Sequence, residues 1–210
     1  MENSAKKVAE YLLQIKAIKL QPSNPFTWAS GWESPIYCDN RKTLSFPVVR
    51  SYIRDSFAAI VKERYPNVGL IAGVATGAIA HGALVADKLG LPFIYVRSEA
   101  KGHGLGNQIE GYYKKEQKVV VIEDLISTGG SSLNAVRALK EAGCEVLGMV
   151  AIFTYGFKKA ADGFESERCA LDTLSNYNAL LETAVDSGYI GQAEVDTLKK
   201  WRADPANWVF

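Results

Sequence analysis

The 210-residue sequence has little cysteine, no excess of charge and no long apolar run. Its three cysteines, Cys38, Cys144 and Cys169, lie far apart and form no C-x-x-C pair, which argues against a disulfide framework or a zinc site. A net charge of +1 provides no field for nucleic acid or an anionic membrane, so we expect neither partner. No segment has the pattern of a signal-peptide core or a membrane span. We therefore expect a cytoplasmic protein in a reducing compartment.

The spacing of apolar residues predicts alternating strands and helices through the middle of the chain. The predicted strands cover 69–75, 92–97, 119–124 and 145–155, and the predicted helices cover 47–64, 78–90 and 131–143. Strands separated by helices of this length form right-handed crossovers. The pattern therefore predicts an α/β fold with a mainly parallel central sheet flanked by helices, and the length favours one domain.

Both ends of the chain depart from this alternation. Residues 4–18 have the spacing of an amphipathic helix. Residues 26–44, FTWASGWESPIYCDNRKTL, are rich in aromatic side chains and are predicted to form short strands joined by tight turns. Residues 170–210 return to helical spacing, which predicts a helical tail packed on the core.

The most informative stretch is 119–132, VVVIEDLISTGGSS. Four β-branched residues predict a buried strand, two carboxylates stand at its end, and a turn rich in hydroxyls and glycine leads into a helix. Backbone N–H groups of such a turn and helix start suit a phosphate, and Glu123 and Asp124 suit ribose hydroxyls or a metal. The stretch matches neither the P-loop nor the G-x-G-x-x-G dinucleotide pattern. The alternative is an ordinary strand, turn and helix with a solvated acidic pair.

A second group of candidates follows the strand at 92–97. The segment 98–116 contains four glycines and no core residue before Ile109. Loops of this length without structure are uncommon unless they act on a ligand. Arg97 and Lys101 suit the negative charge of a pyrophosphate leaving group, and His103 suits donation of a proton or hydrogen bond to it. The alternative is a solvated basic loop.

Several other chemically capable residues are interpreted as structural. His81 is predicted to lie on a helix face, and the three cysteines are predicted to act as small buried hydrophobes. Trp201 and Trp208 are interpreted as packing residues. Residues 39–41 are interpreted as a turn with a local ion pair, with a role at an interface as the alternative.

Three separate blocks of the sequence together resemble one family. VVVIEDLISTGGS resembles the signature of the type I phosphoribosyltransferases, which use 5-phosphoribosyl 1-pyrophosphate (PRPP). The pattern R-x-x-x-K-x-H-G from Arg97 to Gly104 resembles the loop of orotate phosphoribosyltransferases. The pattern F-x-x-x-S-G-x-x-S-P-x-Y from Phe26 to Tyr37 is similar to the segment that covers the base in the same family.

The resemblance implies the type I phosphoribosyltransferase fold and its division of the chain. A helix and base-covering hood would occupy 1–46, a PRPP-binding core with a mobile loop at about 98–117 would occupy 47–165, and a helical segment would occupy 166–210. The implied reaction transfers ribose 5-phosphate from PRPP to orotate in pyrimidine synthesis, giving orotidine 5′-monophosphate and pyrophosphate. Mg²⁺ is the implied cofactor, held mainly through PRPP with Glu123 and Asp124 as further ligands. A homodimer is implied, because in the family the loop enters the neighbouring subunit's site.

The resemblance also implies roles for individual residues. Catalysis is carried over to Lys101, His103 and Asp124, and orotate binding to Ser127, with Tyr37 stacking on the base. PRPP binding is carried over to Arg97, Lys101, His103, Glu123, Asp124, Leu125, Ile126, Ser127, Thr128, Gly129, Gly130 and Ser131. Ala29 and Thr154 stand where some members carry a lysine and an arginine, which leaves open how the orotate carboxylate is held. Backbone N–H groups near Ser30 and Gly31 are the remaining candidates. The alternatives are a PRPP-sensing regulator without turnover and a purine phosphoribosyltransferase.

Overall fold

The computed structural model describes residues 2–28, 31–97 and 108–209. Lys101, His103, Ala29 and Ser30 lie outside the described residues. In chain order the elements are α1 Glu2–Gln14, β1 Ile18–Leu20, β2 Phe26–Thr27, β3 Glu33–Ser34, β4 Ile36–Cys38, a 3-10 helix Asn40–Ser45, α2 Pro47–Arg64, β5 Leu70–Val74, α3 Ile79–Leu89, β6 Phe93–Val96, β7 Ile109–Glu110, β8 Lys118–Ile126, α4 Gly130–Glu141, β9 Glu145–Thr154, α5 Lys158–Ser166, β10 Leu171–Asn176, α6 Tyr177–Asp186 and α7 Gln192–Ala203.

A six-stranded sheet in the order β10-β9-β8-β5-β6-β7 forms the centre of the molecule. All neighbours pair in parallel except β7, which is antiparallel to β6. The predicted α/β fold with a mainly parallel sheet and flanking helices is therefore confirmed. Because β5 and β8 are neighbours, their carboxyl ends meet at one edge, where such sheets bind ligands.

Strand β8 is apolar on both faces because helices cover the sheet on both sides. Val120 and Ile122 belong to the core that includes residues of α1, α2 and α6. Val119 and Val121 belong to the core on the other side, with residues of α4 and α5. A parallel strand covered by helices on both faces carries consecutive apolar residues. After Lys118, the first polar side chain of β8 is therefore Glu123, which follows the buried apolar run.

The hood forms short strands, as predicted. Strand β1 pairs with β4, and β2 pairs with β3, both antiparallel. Two sequence predictions next to these strands and β6 are wrong. The helix predicted over 4–18 ends at Gln14, because Lys16 adopts a left-handed φ of 55° and turns the chain into β1. The loop predicted over 98–117 contains β7, whose Ile109 is buried against the sheet.

The predicted helical tail is also wrong in part. Leu171–Asn176 is the edge strand β10, paired with β9. The helix begins only at Tyr177, because the Asn176 side chain accepts a hydrogen bond from the Ala179 backbone N at 3.0 Å and caps α6. Trp201 and Trp208 pack on the core, as predicted. No helix in the described ranges combines the length and apolarity that crossing a bilayer requires.

Candidate active site

A cleft of about 480 Å³ opens at the carboxyl ends of β5 and β8. We call it the polar cleft. Three chain segments line it. They are Cys38, Asp39 and Arg41 of the hood, residues 74–77 at the end of β5, and most residues from Glu123 to Ser132. The structure thus brings together almost all of the predicted phosphate stretch. Ile126 is the exception, because its side chain is buried in the core beside α4.

The turn before α4 presents backbone N–H groups to the polar cleft. Gly129 has a φ of 82°, a conformation that glycine adopts without strain, and it precedes the first residue of the helix. The first N–H groups of a helix have no acceptor within it, and the helix dipole favours negative charge there. Residues 127–131 therefore form a site suited to a phosphate group.

The two predicted carboxylates have different surroundings. Glu123 is 4% exposed, and its Oε2 accepts a hydrogen bond from the Ser132 hydroxyl at 2.8 Å. Its Oε1 accepts a hydrogen bond from the Asp124 backbone N at 2.9 Å. Burial, together with the negative charge of Asp124, raises the pKa of Glu123 well above its ordinary value. Through these two hydrogen bonds, Glu123 holds the end of β8 and the start of α4 in position.

Asp124 is the more open carboxylate of the pair. Its carboxylate lies so close to Gly77 that a Cβ added at position 77 would overlap it. Its carbonyl oxygen accepts a hydrogen bond from Asn40 Nδ2 at 2.6 Å. Asp124 is thus held between the segment after β5 and the hood, and only glycine at position 77 leaves room for it.

Asn40 is held in place by two buried residues, Thr43 and His81. The Thr43 hydroxyl donates to the Asn40 carbonyl oxygen at 2.6 Å and lies 3.2 Å from His81 Nε2. Burial lowers the pKa of His81 to about 4, so the ring is neutral. The structural interpretation of His81 is confirmed: the ring is buried in α3, and contacts through Thr43 and Asn40 connect it to the carbonyl oxygen of Asp124.

Arg41 is a site residue that the sequence interpretation missed. The predicted local ion pair is confirmed, with Arg41 Nε 2.7 Å from Asp39 Oδ1. Both residues also line the polar cleft, and Arg41 is the one cationic side chain among the described residues that do so. The sequence around Arg41 predicts only a turn with a local ion pair. Nothing in that sequence indicates that the fold places the end of β8 next to Arg41.

Of the predicted pyrophosphate-binding residues, only Arg97 is described. It follows β6, donates its backbone N to the Gln108 carbonyl oxygen at 2.9 Å, and its Nη1 lies 3.6 Å from Glu110 Oε1. It is not among the described residues that line the polar cleft. Lys101 and His103 lie outside the described residues, so their predicted roles stay predictions.

A second cavity of about 480 Å³ adjoins the polar cleft. We call it the aromatic cavity. Its lining residues are Thr27, Trp28, Trp32, Tyr37, Cys38, Leu125, Ser127, Thr128 and Tyr155. The predicted orotate residues Ser127 and Tyr37 both belong to it. Cys38, Leu125, Ser127 and Thr128 line both cavities, so the two are continuous.

The aromatic cavity also contains residues that sequence reasoning missed. The sequence shows that the hood is rich in aromatic residues such as Trp28 and Trp32, but it places Tyr155 only at the end of the predicted strand 145–155. In the structure Tyr155 stands just after β9 and lines the cavity. Cys144 and Cys169 are buried, as predicted, whereas Cys38 lines both cavities. Thr154 is not among the described lining residues, and its Oγ1 accepts a hydrogen bond from the Gly156 backbone N at 3.1 Å.

Comparison with known proteins is consistent across the chain. Residues 49–187 match the family model described as "Phosphoribosyl transferase domain". An orotate phosphoribosyltransferase of Bacteroides fragilis is 59% identical over 208 residues, covering 99% of this chain and 98% of the relative. The solved orotate phosphoribosyltransferase of Aeropyrum pernix has a TM-score of 0.76 at 28% identity, covering 88% of this chain and 99% of that one. Leishmania donovani UMP synthase has a TM-score of 0.78 at 27% identity, covering 94% of this chain, which spans 42% of that protein.

Proposed function

Because the chain belongs to the orotate phosphoribosyltransferase family, we propose that the polar cleft and the aromatic cavity are the two halves of one active site. The enzyme transfers the ribose 5-phosphate group of PRPP to N1 of orotate, giving orotidine 5′-monophosphate and pyrophosphate in pyrimidine synthesis. One observation supports the assignment of the two cavities to one active site. A polar cleft with phosphate-binding geometry continues directly into an aromatic cavity through shared residues such as Ser127 and Thr128.

The polar cleft takes the phosphoribosyl group. The N–H groups of residues 127–131 bind the 5-phosphate, and Asp124 accepts hydrogen bonds from ribose hydroxyls. Glu123, whose oxygens already accept from Ser132 and the Asp124 backbone, keeps the turn in position. The close packing of Asp124 against Gly77 supports this assignment, because it fixes the carboxylate in the cleft.

The reaction is a displacement at the anomeric carbon with a loose transition state. The bond to the pyrophosphate oxygen breaks with its electron pair while N1 of orotate, present as an anion, forms the new bond. Positive charge on the ribose ring is stabilised by the carboxylate of Asp124. Negative charge on the leaving pyrophosphate is met by cations, for which Arg41 in the cleft and Arg97, Lys101 and His103 of the loop are the candidates.

Mg²⁺ fits this site as an ion held mainly by PRPP. The described residues contain no group of three His, Cys, Asp or Glu side chains able to hold a metal by themselves. Asp39 is paired with Arg41 and Glu123 accepts two protein hydrogen bonds, which leaves Asp124 as the protein carboxylate for the ion. When bound, Mg²⁺ offsets negative charge on the pyrophosphate. Calorimetric titration checks this: we expect tight Mg²⁺ binding only when PRPP is present.

A homodimer with shared sites completes the proposal. It is supported by Arg97, which follows β6 but is not among the described residues lining the polar cleft of its own chain. Mixing a Lys101→Ala variant with an Asp124→Asn variant tests the sharing. Each variant alone should be nearly inactive, and random reassortment should restore about a quarter of the wild-type activity, since half of the dimers gain one intact site. No recovery, with dimers confirmed by sedimentation, contradicts a shared site.

We also place the enzyme in the cytoplasm. Cys38, Cys144 and Cys169 are free, as expected in a reducing compartment. Cell fractionation that follows orotate-dependent pyrophosphate release checks this, and activity confined to a secreted fraction contradicts it.

Base selectivity tests the function itself. The protein is mixed with Mg²⁺ and PRPP, then with orotate, adenine, hypoxanthine or uracil, and pyrophosphate release is measured. Release with orotate alone is the expected result. Release with adenine or hypoxanthine favours a purine enzyme, and binding of PRPP without release from any base favours a regulator.

A further inference from the structure

Tyr155 lies at the base of the aromatic cavity with its ring held on several sides. The residue is 1% exposed. Its ring centroid lies 5.4 Å from those of Trp28 and Phe157 and 5.7 Å from that of Trp201. Aromatic contacts of this kind fix the position of a ring. The location of the hydroxyl at the edge of the ring is therefore fixed as well.

Within the described ranges, the Tyr155 hydroxyl has no hydrogen-bond partner, although the residue is buried. In the same part of the chain, every fully enclosed side-chain N or O atom has a hydrogen-bond partner. The hydroxyl oxygen must therefore keep some access to open space, and the space that Tyr155 lines is the aromatic cavity. A polar group that has no protein partner and faces open space pairs with water, and a bound ligand can replace that water.

The other polar groups of the cavity are partly used by the protein. The Thr27 hydroxyl donates to Glu33 Oε1 at 2.9 Å, and the Trp28 indole N–H donates to the Ile36 carbonyl oxygen at 3.0 Å. None of the described lining residues is cationic. Orotate, however, presents two carbonyl oxygens and a carboxylate, all of which accept hydrogen bonds. The cavity therefore needs neutral donors, and Tyr155 has one available.

We propose that Tyr155 is a specificity-determining residue that donates a hydrogen bond from its hydroxyl to an oxygen of the bound orotate. This inference rests on the proposed function, because it takes orotate to be the occupant of the aromatic cavity. Burial also raises the pKa of Tyr155 well above its ordinary value, so the hydroxyl keeps its proton at any working pH. The fixed ring directs this donor without further loss of side-chain freedom on binding.

Tyr155→Phe is the direct test, because it removes the hydroxyl and keeps the ring. We expect the KM for orotate to rise about 10- to 100-fold, as for loss of a hydrogen bond to a polar or charged ligand group. The KM for PRPP should stay within about twofold, since the hydroxyl faces the base half. The melting temperature should stay close to the wild-type value, because the hydroxyl makes no hydrogen bond to the described residues.

Tyr177→Phe is the matched control in the same aromatic cluster. The Tyr177 ring lies 6.4 Å from that of Tyr155, but its hydroxyl donates to the Leu198 carbonyl oxygen at 3.0 Å. This variant should lose melting temperature and keep the wild-type KM for orotate. The two variants therefore separate a ligand contact from a packing role.

Each outcome decides the inference. It is overturned if Tyr155→Phe keeps the wild-type KM for orotate, or if the variant loses stability or fails to fold, because the hydroxyl would then serve the protein. These results differ from failure of the proposed function, in which the wild-type enzyme itself releases no pyrophosphate with orotate.

Discussion

The polar cleft is built largely from consecutive residues and backbone groups, whereas the aromatic cavity is built from side chains that are distant in sequence. Residues from Glu123 to Ser132 supply most of the cleft. The aromatic cavity combines side chains of three separate segments. They are Thr27, Trp28, Trp32, Tyr37 and Cys38 of the hood, then Leu125, Ser127 and Thr128, and finally Tyr155. In the proposed function, the two cavities recognise their ligands in different ways. The polar cleft offers N–H groups and carboxylates to a sugar phosphate, and the aromatic cavity offers ring faces and hydroxyls to a flat base.

The geometry of the two cavities therefore depends on different features of the fold. Backbone N–H groups at a helix start have the same positions whatever side chains surround them, so the phosphate half depends on local geometry. The base half depends on the tertiary packing of Trp28, Trp32 and Tyr155. We therefore expect substitutions in the cleft to affect all turnover, and substitutions in the cavity to affect orotate selectively.

The largest effect is expected from Gly77→Ala. The added Cβ would overlap the Asp124 carboxylate, so Asp124 must move out of position. We expect kcat/KM to fall by roughly 100-fold or more, with PRPP and orotate affected alike, because small misplacements of a reacting group cost about this much. Gly69→Ala is the control, since its Cβ would meet only the Lys118 carbonyl oxygen at 3.8 Å. Steady-state kinetics of both variants measure this, and equal activity contradicts the role of Asp124.

The buried His81, which contacts Thr43 behind the polar cleft, should make the free energy of unfolding depend on pH. The pKa of His81 is about 4 in the folded chain against an ordinary value of 6.5, so the unfolded chain binds its proton first as pH falls. The stability from neutral His81 is thus fully present above pH 6.5 and is lost between pH 6.5 and 4, by about 3 kcal/mol. His81→Gln should lack this component. Denaturant unfolding from pH 7 to 4 measures it, and parallel profiles for both proteins contradict it.

The same contrast explains what the sequence could predict. The cleft was predictable because strand, acidic pair, turn and helix start follow one another from Val119 to Ser132. The sheet was predictable because each buried strand is a continuous apolar run. Arg41 and Tyr155 were not predictable as site residues, because their roles depend on which segments the fold places beside them. Strand β10 was missed because its leucines fit helical spacing until the Asn176 cap is known.

A smaller and more selective effect is expected at the rim of the aromatic cavity. Tyr37 is 41% exposed and its ring lies 5.6 Å from that of Phe26, so part of the ring is free to stack on a base. Tyr37→Ala should raise the KM for orotate about 10-fold, as for loss of one aromatic contact, and leave the KM for PRPP near the wild-type value. Tyr37→Phe should restore the wild-type KM, because stacking needs only the ring. If the KM for PRPP rises as much as the KM for orotate in Tyr37→Ala, the aromatic cavity does not act selectively on orotate.

The smallest effect is expected from Glu123→Gln, and it separates the two adjacent carboxylates. Burial raises the pKa of Glu123, so the folded chain favours its neutral form, and a neutral amide of the same size replaces it with little strain. A raised pKa means that the stability from neutral Glu123 is greatest at low pH and falls as pH rises, so the variant should lose no stability at pH 8. The KM for PRPP should change less than about fivefold, whereas Asp124→Asn should reduce kcat/KM about 100-fold. Equal losses in the two variants would mean that Glu123 contacts the ribose directly, and the cleft would then use both carboxylates in the same way.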